Sequence, residues 1–196
     1  TMSAGFKYNI DPEPSIEERY DVSTGVRRRG PYRLDTTNLN IGDNLPSFIP
    51  IAANLKNKKC FVVRNVQVVE AYVSGATSLK IKKGSFVYAG MHIGNGTKGA
   101  TVSAINKSDA KFDLLTITDF GSNLAIGDVL FEATAIAGTT PKNVANSALY
   151  ESRKVEEGHN LVALLSVARE IEPDKLIVPF SAKDKEKLGS DFQFNE

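Results

Sequence analysis

Leu79-Lys80-Ile81-Lys82-Lys83-Gly84 alternates apolar and basic side chains for four residues and then stops on a glycine. Alternation with period two sends Leu79 and Ile81 to one face and Lys80 and Lys82 to the other, the pattern of a strand with one wet side. Val66-Gln67-Val68-Val69, upstream, repeats the alternation. Further out come Cys60-Phe61-Val62-Val63, Met91-His92-Ile93, Thr101-Val102-Ser103-Ala104-Ile105, Leu114-Leu115-Thr116-Ile117-Thr118 and Val129-Leu130-Phe131. Each run is short, rich in β-branched residues, and bounded by Gly, Asn, Asp or Ser. Turn signals at intervals of about 8–12 residues predict a β-sandwich or barrel. Asn106-Lys107-Ser108-Asp109 has hairpin-turn chemistry. Residues 49–137 therefore read as a small β-barrel or sandwich domain.

The flanks read differently. Residues 1–48 are broken by Asp11-Pro12-Glu13-Pro14, Gly25, Gly30-Pro31 and Gly42-Asp43-Asn44, which argues against long helices or strands. They still carry Phe6, Tyr8, Ile16, Tyr20, Tyr32 and Leu34, so the segment reads as an extended arm that lies along its own domain or a neighbour. Residues 138–196 read as a loop plus a small α+β unit. Residues 161–167 are apolar and fit helix or strand, Leu176-Ile177-Val178 is a short strand candidate, and Pro173 and Pro179 forbid a long helix. Residues 182–188 suggest a short surface helix whose Lys-Asp-Lys-Glu-Lys run is a solvated face. The fold class expected is mainly β, with an extended N-terminal arm and a small mixed C-terminal unit.

Composition narrows the function classes. The 196 residues carry a net charge of +1 and are 41% hydrophobic. That near-neutrality excludes a strongly basic nucleic-acid binder. No apolar run reaches the roughly 18 residues of a membrane span, and no charged-then-apolar leader is visible. Cys60 is the single cysteine, and His92 and His159 are the two histidines. Neither a metal centre nor a cofactor is expected from so few ligands, and catalysis is disfavoured. The near-neutral total hides a gradient: −1 over residues 1–48, +5 over 49–149 and −3 over 150–196. That split suits docking of protein on protein.

Gly94-Asn95-Gly96-Thr97-Lys98-Gly99 matches the dinucleotide fingerprint, but the strand-forming residues that follow it predict a hairpin loop rather than a helix N-terminus. Asp109, Asp113, Asp119 and Asp128 could hold a hard cation only if loops gathered them. Arg27-Arg28-Arg29, with Tyr32 and Arg33, is the densest basic cluster. It is the candidate partner-binding site, because a guanidinium fork suits carboxylates. The competing reading is a solvated turn in which Glu13, Glu17, Glu18 and Asp21 pair with the arginines.

From Leu79 to Ala133 the order of motifs carries a resemblance. Leu79-Lys80-Ile81-Lys82-Lys83-Gly84 leads to Tyr88-Ala89-Gly90-Met91-His92-Ile93, then to Phe112-Asp113-Leu114-Leu115-Thr116-Ile117. The series ends on Ala125-Ile126-Gly127-Asp128-Val129-Leu130-Phe131-Glu132-Ala133. This resembles the β-domain of head-decoration or head-fibre proteins of tailed bacteriophages and prophages. The resemblance implies a non-catalytic virion structural protein on the capsid surface, assembled in the bacterial cytoplasm. It implies the major capsid protein as partner and a homo-oligomer, trimeric around local three-fold axes, with no nucleic acid, membrane or cofactor. The rival expectation is a carbohydrate- or cell-surface-binding β-module of a phage tail or adhesin, with Tyr8, Tyr20, Tyr32, Tyr72 and Tyr88 as stacking platforms.

Overall fold

The computed structural model describes residues 18–195, and its regular elements are strands apart from one short helix and two 3₁₀ turns. Six of them come from one continuous stretch: β6 (Asn65–Gln67), β7 (Ser78–Lys82), β8 (His92–Gly94), β9 (Gly99–Asn106), β10 (Phe112–Ile117) and β11 (Val129–Glu132). They pair antiparallel in the order β6-β11-β8-β9-β10-β7. A bridge between Val68 and Ile81, with Val69 N–H donating to the Lys80 carbonyl at 3.1 Å, brings the two outer strands together and closes the sheet. The alternation in β7 works as the sequence requires: Leu79 and Ile81 are buried while Lys80 and Lys82 are half-exposed. Leu79, Ile81, Met91, Ile93, Val102, Leu115 and Leu130 fill the barrel.

The remaining strands surround this stretch in sequence. β1 (Asp21–Arg27), β2 (Tyr32–Asp35), β4 (Pro50–Asn54) and β5 (Lys59–Val62) precede it; β12 (Ser147–Leu149), β14 (Leu161–Val162) and β15 (Leu164–Ile171) follow. They form a second sheet in the order β1-β15-β12-β4-β5-β2-β14, with β16 (Phe192–Phe194) parallel to β15. β3 (Asn44–Leu45) pairs with β13 (Arg153–Lys154) as a separate ribbon. Tyr20, Tyr32, Leu34, Leu45 and Phe48 are buried, so the described part of residues 1–48 contributes to the core of this second sheet.

For the C-terminal stretch one open choice is resolved and one expectation changes. Residues 161–167 are strand, since β14 and β15 both find partners. Leu176-Ile177-Val178 is not a strand, although Leu176 and Val178 are buried. The Leu176 N–H is taken by the Pro173 carbonyl at 3.2 Å in a 3₁₀ turn, and Pro179 has no N–H, so both ends of the segment are cut off from strand pairing while its side chains still pack. The short helix α1 spans Ala182–Leu188, as the composition suggests, but its Lys-Asp-Lys-Glu-Lys run is not all solvated: Asp184 is buried.

Gly94 and Gly99, at the ends of the β8–β9 hairpin, pack directly on Gly138 of the chain returning from the barrel. A Cβ on Gly138 would lie 2.2 Å from the Lys98 carbonyl oxygen, and its φ of +67° already disfavours a side chain. Gly138→Ala is therefore expected to cost about 1–3 kcal/mol through overpacking and strain, read as a lower thermal midpoint.

Candidate functional site

The chemistry-bearing residues fall into a buried clasp, a capped helix start and a basic loop region. The clasp lies where the chain crosses from the second sheet into the barrel and back. Arg64 sits on the outgoing crossing, Glu132 ends β11, and Lys142 sits on the return. Glu132 is 3% exposed and Arg64 6%. The Glu132 carboxylate accepts from Tyr88 Oη at 2.6 Å, Lys142 Nζ at 2.8 Å and Arg64 Nη1 at 3.2 Å. Arg64 Nη2 donates to the Thr37 carbonyl at 2.7 Å, tying in the loop after β2. Burial pushes the Glu132 carboxyl up, but the hydrogen bonds from Lys142 and Tyr88 and the charges of Arg64 and Lys142 outweigh it. The carboxyl is left below its usual range. Buried and held by three donors from separate segments, this carboxylate ties elements together.

The helix start is tied as closely. Asp184 accepts from Ser181 N–H at 2.8 Å and Ser181 Oγ at 2.6 Å, Asn65 Nδ2 at 2.7 Å and Ala145 N–H at 2.6 Å. Ser181 and Asp184 form a reciprocal capping box. The same carboxylate also holds the first residue of β6 and the segment before β12. Sequence inspection missed Asp184 because lysines flank it. It missed Glu132 because it follows Val129-Leu130-Phe131 as an ordinary strand end.

The basic cluster divides. Arg28 Nε donates to Ser147 Oγ at 2.7 Å and its Nη2 to the Asn146 carbonyl at 2.8 Å, so Arg28 anchors the β1–β2 loop to β12. Arg27 stacks over the Tyr150 ring, 4.5 Å from its centroid. Tyr32 is buried, with Lys58 Nζ 3.2 Å from its hydroxyl. Arg29 and Arg33 are exposed, and among the described residues their side chains make no ion pair or hydrogen bond. Asp21 turns to Ser23 instead of the arginines, accepting from its N–H at 2.9 Å and its hydroxyl at 2.7 Å. Glu13 and Glu17 lie outside the described residues.

The other singled-out groups are separated. Asp119 accepts from Tyr72 Oη at 3.1 Å and from the N–H groups of Gly75 and Gly121 at 2.8 and 3.0 Å. Asp109 and Asp128 each accept from a backbone N–H of their own turn. Asp113 points inward beside Leu115, its Oδ1 3.4 Å from Lys83 Nζ. Among the described residues no three His, Cys, Asp or Glu side chains gather as metal ligands would. The Gly94–Gly99 stretch is the β8–β9 hairpin, with no helix behind it. His92 Nδ1 is 2.8 Å from Thr101 Oγ1, and His159 is exposed in a loop. Burial, with the Asp35 charge adding, pushes the Cys60 thiol up to about 12, which suppresses thiolate at neutral pH. Of the five tyrosines weighed as platforms, Tyr20, Tyr32 and Tyr72 are buried, Tyr88 is half-buried against Glu132, and Tyr8 lies outside the described residues.

A cleft of about 570 Å³ opens between the loop after β2 and the loop after β7. Asn38, Asn40, Asp43, Ser85, Phe86 and Tyr88 are among the residues lining it. Compared with known proteins, residues 2–192 match a family model described as head fiber protein. No curated protein and no solved structure matches the chain.

Proposed function

This chain belongs to the phage head fiber protein family, and on that premise we propose that it binds the outer face of the capsid as a non-catalytic structural component of the virion. The match over residues 2–192 carries the reading, because it covers both sheets and not the barrel alone. The side-chain chemistry supports it. The buried carboxylates of Glu132 and Asp184 are spent on joining elements. Cys60 is enclosed, Asp109, Asp119 and Asp128 sit in separate turns, and Asp113 is turned into the barrel beside Leu115. The partner is the major capsid protein, and the protein acts as a homo-oligomer, a trimer around local three-fold axes. β1 and β14 support self-association, since among the described residues each has one neighbour in the second sheet, and unpaired strand edges invite pairing with another chain.

Purified protein mixed with undecorated heads of its own phage or prophage should co-pellet on sedimentation and appear as added density at local three-fold positions by electron microscopy. Heads that pellet bare across the accessible concentration range would refute the reading. Sedimentation velocity of the free protein should give three times the mass of the 21.3 kDa chain.

A further inference from the structure

Sheet register brings together two basic segments that are far apart in sequence. β2 and β5 run parallel with Arg33 opposite Lys59, and Arg33 N–H donates to the Lys58 carbonyl at 2.7 Å. Lys58 Nζ reaches back to the Arg29 carbonyl at 3.2 Å. Lys56 stands in the same exposed turn between β4 and β5. We infer that the face formed by Arg29, Arg33, Lys56, Lys58 and Lys59 docks on a carboxylate-rich patch of the head's protein surface. This rests on the head-binding reading above and names the surface and the chemistry of its partner.

Five cations on one small face repel one another and favour a surface that supplies the opposite sign. Their internal neutralisation is slight. Lys59 pairs with Asp35 at 2.8 Å. Burial raises the Asp35 carboxyl, but hydrogen bonds from Lys59 and Thr37 and the Lys59 charge overcome this and hold it down to about 2, so that acid is committed. Arg29 and Arg33 keep both guanidinium forks free among the described residues, and a fork pairs with a carboxylate through two parallel N–H···O bonds. Beside Arg33 and Lys59 lies a hollow of about 400 Å³, also lined by Thr37, Asn57, Gly158 and Asp35, the last already paired with Lys59, so Arg33 is the cation there that an incoming carboxylate would meet.

The face is not purely ionic. Leu161 is paired with Arg33 across β14 and is 52% exposed, and Leu55 adds a second exposed apolar side chain in the Lys56 turn. Apolar surface rimmed by arginine is the composition of a protein interface. A nucleic-acid partner fits less well. Tyr32 is buried with Lys58 over its ring at 4.7 Å, and half-buried Phe61 has Lys59 over its ring at 5.1 Å, so neither offers a base an open stacking platform. The whole chain carries only +1.

The test compares wild type with the double variant Arg29→Glu/Arg33→Glu in head co-sedimentation over a salt series. Arg29→Gln/Arg33→Gln serves as a milder pair, and circular dichroism checks the fold. Support is a wild-type affinity that falls as sodium chloride rises, and a variant at least tenfold weaker with a flatter salt dependence. Heads whose surface carboxylates have been amidated with carbodiimide and glycinamide should also lose wild-type binding. A wild type that binds heads and variants that bind equally would overturn the inference and leave the head-binding reading standing. A wild type that leaves all heads bare would defeat both. Retardation of duplex DNA by wild type and not by the variant would overturn it in favour of nucleic acid. A variant that changes only the oligomer mass, with head binding intact, would reassign the face to self-assembly.

Discussion

Glu132→Ala should lower stability by about 3–5 kcal/mol, the usual consequence of stranding a buried charge without its partner. Arg64 is 6% exposed and keeps only the Thr37 carbonyl when the carboxylate is gone. Tyr88 Oη and Lys142 Nζ lose an acceptor at the same moment. The urea midpoint falls while the slope of the transition stays near that of wild type. A variant as stable as wild type would mean that the clasp is not formed in solution. The clasp also has an acid signature. The folded carboxyl sits below its unfolded value, so its contribution is complete above about pH 4.3 and is lost as pH falls through the folded value. Glu132→Gln removes this component, so its stability should decline less than that of wild type in that window. Replacing Arg64, Glu132 and Lys142 together by apolar residues should cost less than Glu132→Ala alone, because no charge is then stranded.

Asp184→Ala should be nearly as damaging, with a loss of about 3 kcal/mol or more, since buried donors left without an acceptor each carry a desolvation penalty. Four donors converge on this one carboxylate: Ser181 N–H, Ser181 Oγ, Asn65 Nδ2 and Ala145 N–H. Asn65 Nδ2 retains the Pro179 carbonyl at 2.8 Å, but the Ala145 N–H has no alternative acceptor in the described hydrogen bonds. For a chain of this size the loss corresponds to a thermal midpoint lower by roughly 6–12 °C. A mere helix-cap residue would cost only about 1 kcal/mol, so the size of the effect tests whether Asp184 also joins β6 to the segment before β12.

Where pairing is local, the sequence was readable. The alternation at Leu79-Lys80-Ile81-Lys82 and the punctuated runs from Met91 to Phe131 became β7 to β11, helped by the chain-neighbour pairs β8–β9 and β9–β10, whereas β7–β10 and β8–β11 join strands that skip two others. The second sheet was less readable because its partners are distant: Arg33 lies opposite Leu161, and Ile51 opposite Ser147. Leu176-Ile177-Val178 shows the limit of composition, since burial needs apolar side chains but a strand also needs N–H groups at the right spacing. The candidate arginines were visible as a run. Their division into Arg28 bound inside and Arg29 and Arg33 left open follows from Ser147 and Asn146, more than a hundred residues away. The lysines of the β4–β5 turn joined them only through the parallel register of β2 and β5.

The placement of residues 65–132 between the two halves of the second sheet bears on the order in which the molecule can be made. A ribosome delivers the N-terminal strands first. β2, β4 and β5 can pair with one another at once, yet β1 and the free side of β4 must wait for β15 and β12. All barrel strands emerge in that interval, and the barrel can close on itself while the sheet around it is half built. Only when β12 to β15 appear do the waiting edges of β4, β2 and β1 find their partners. Until then the nascent chain presents open strand edges, so a copy on the same polysome is a competitor for them.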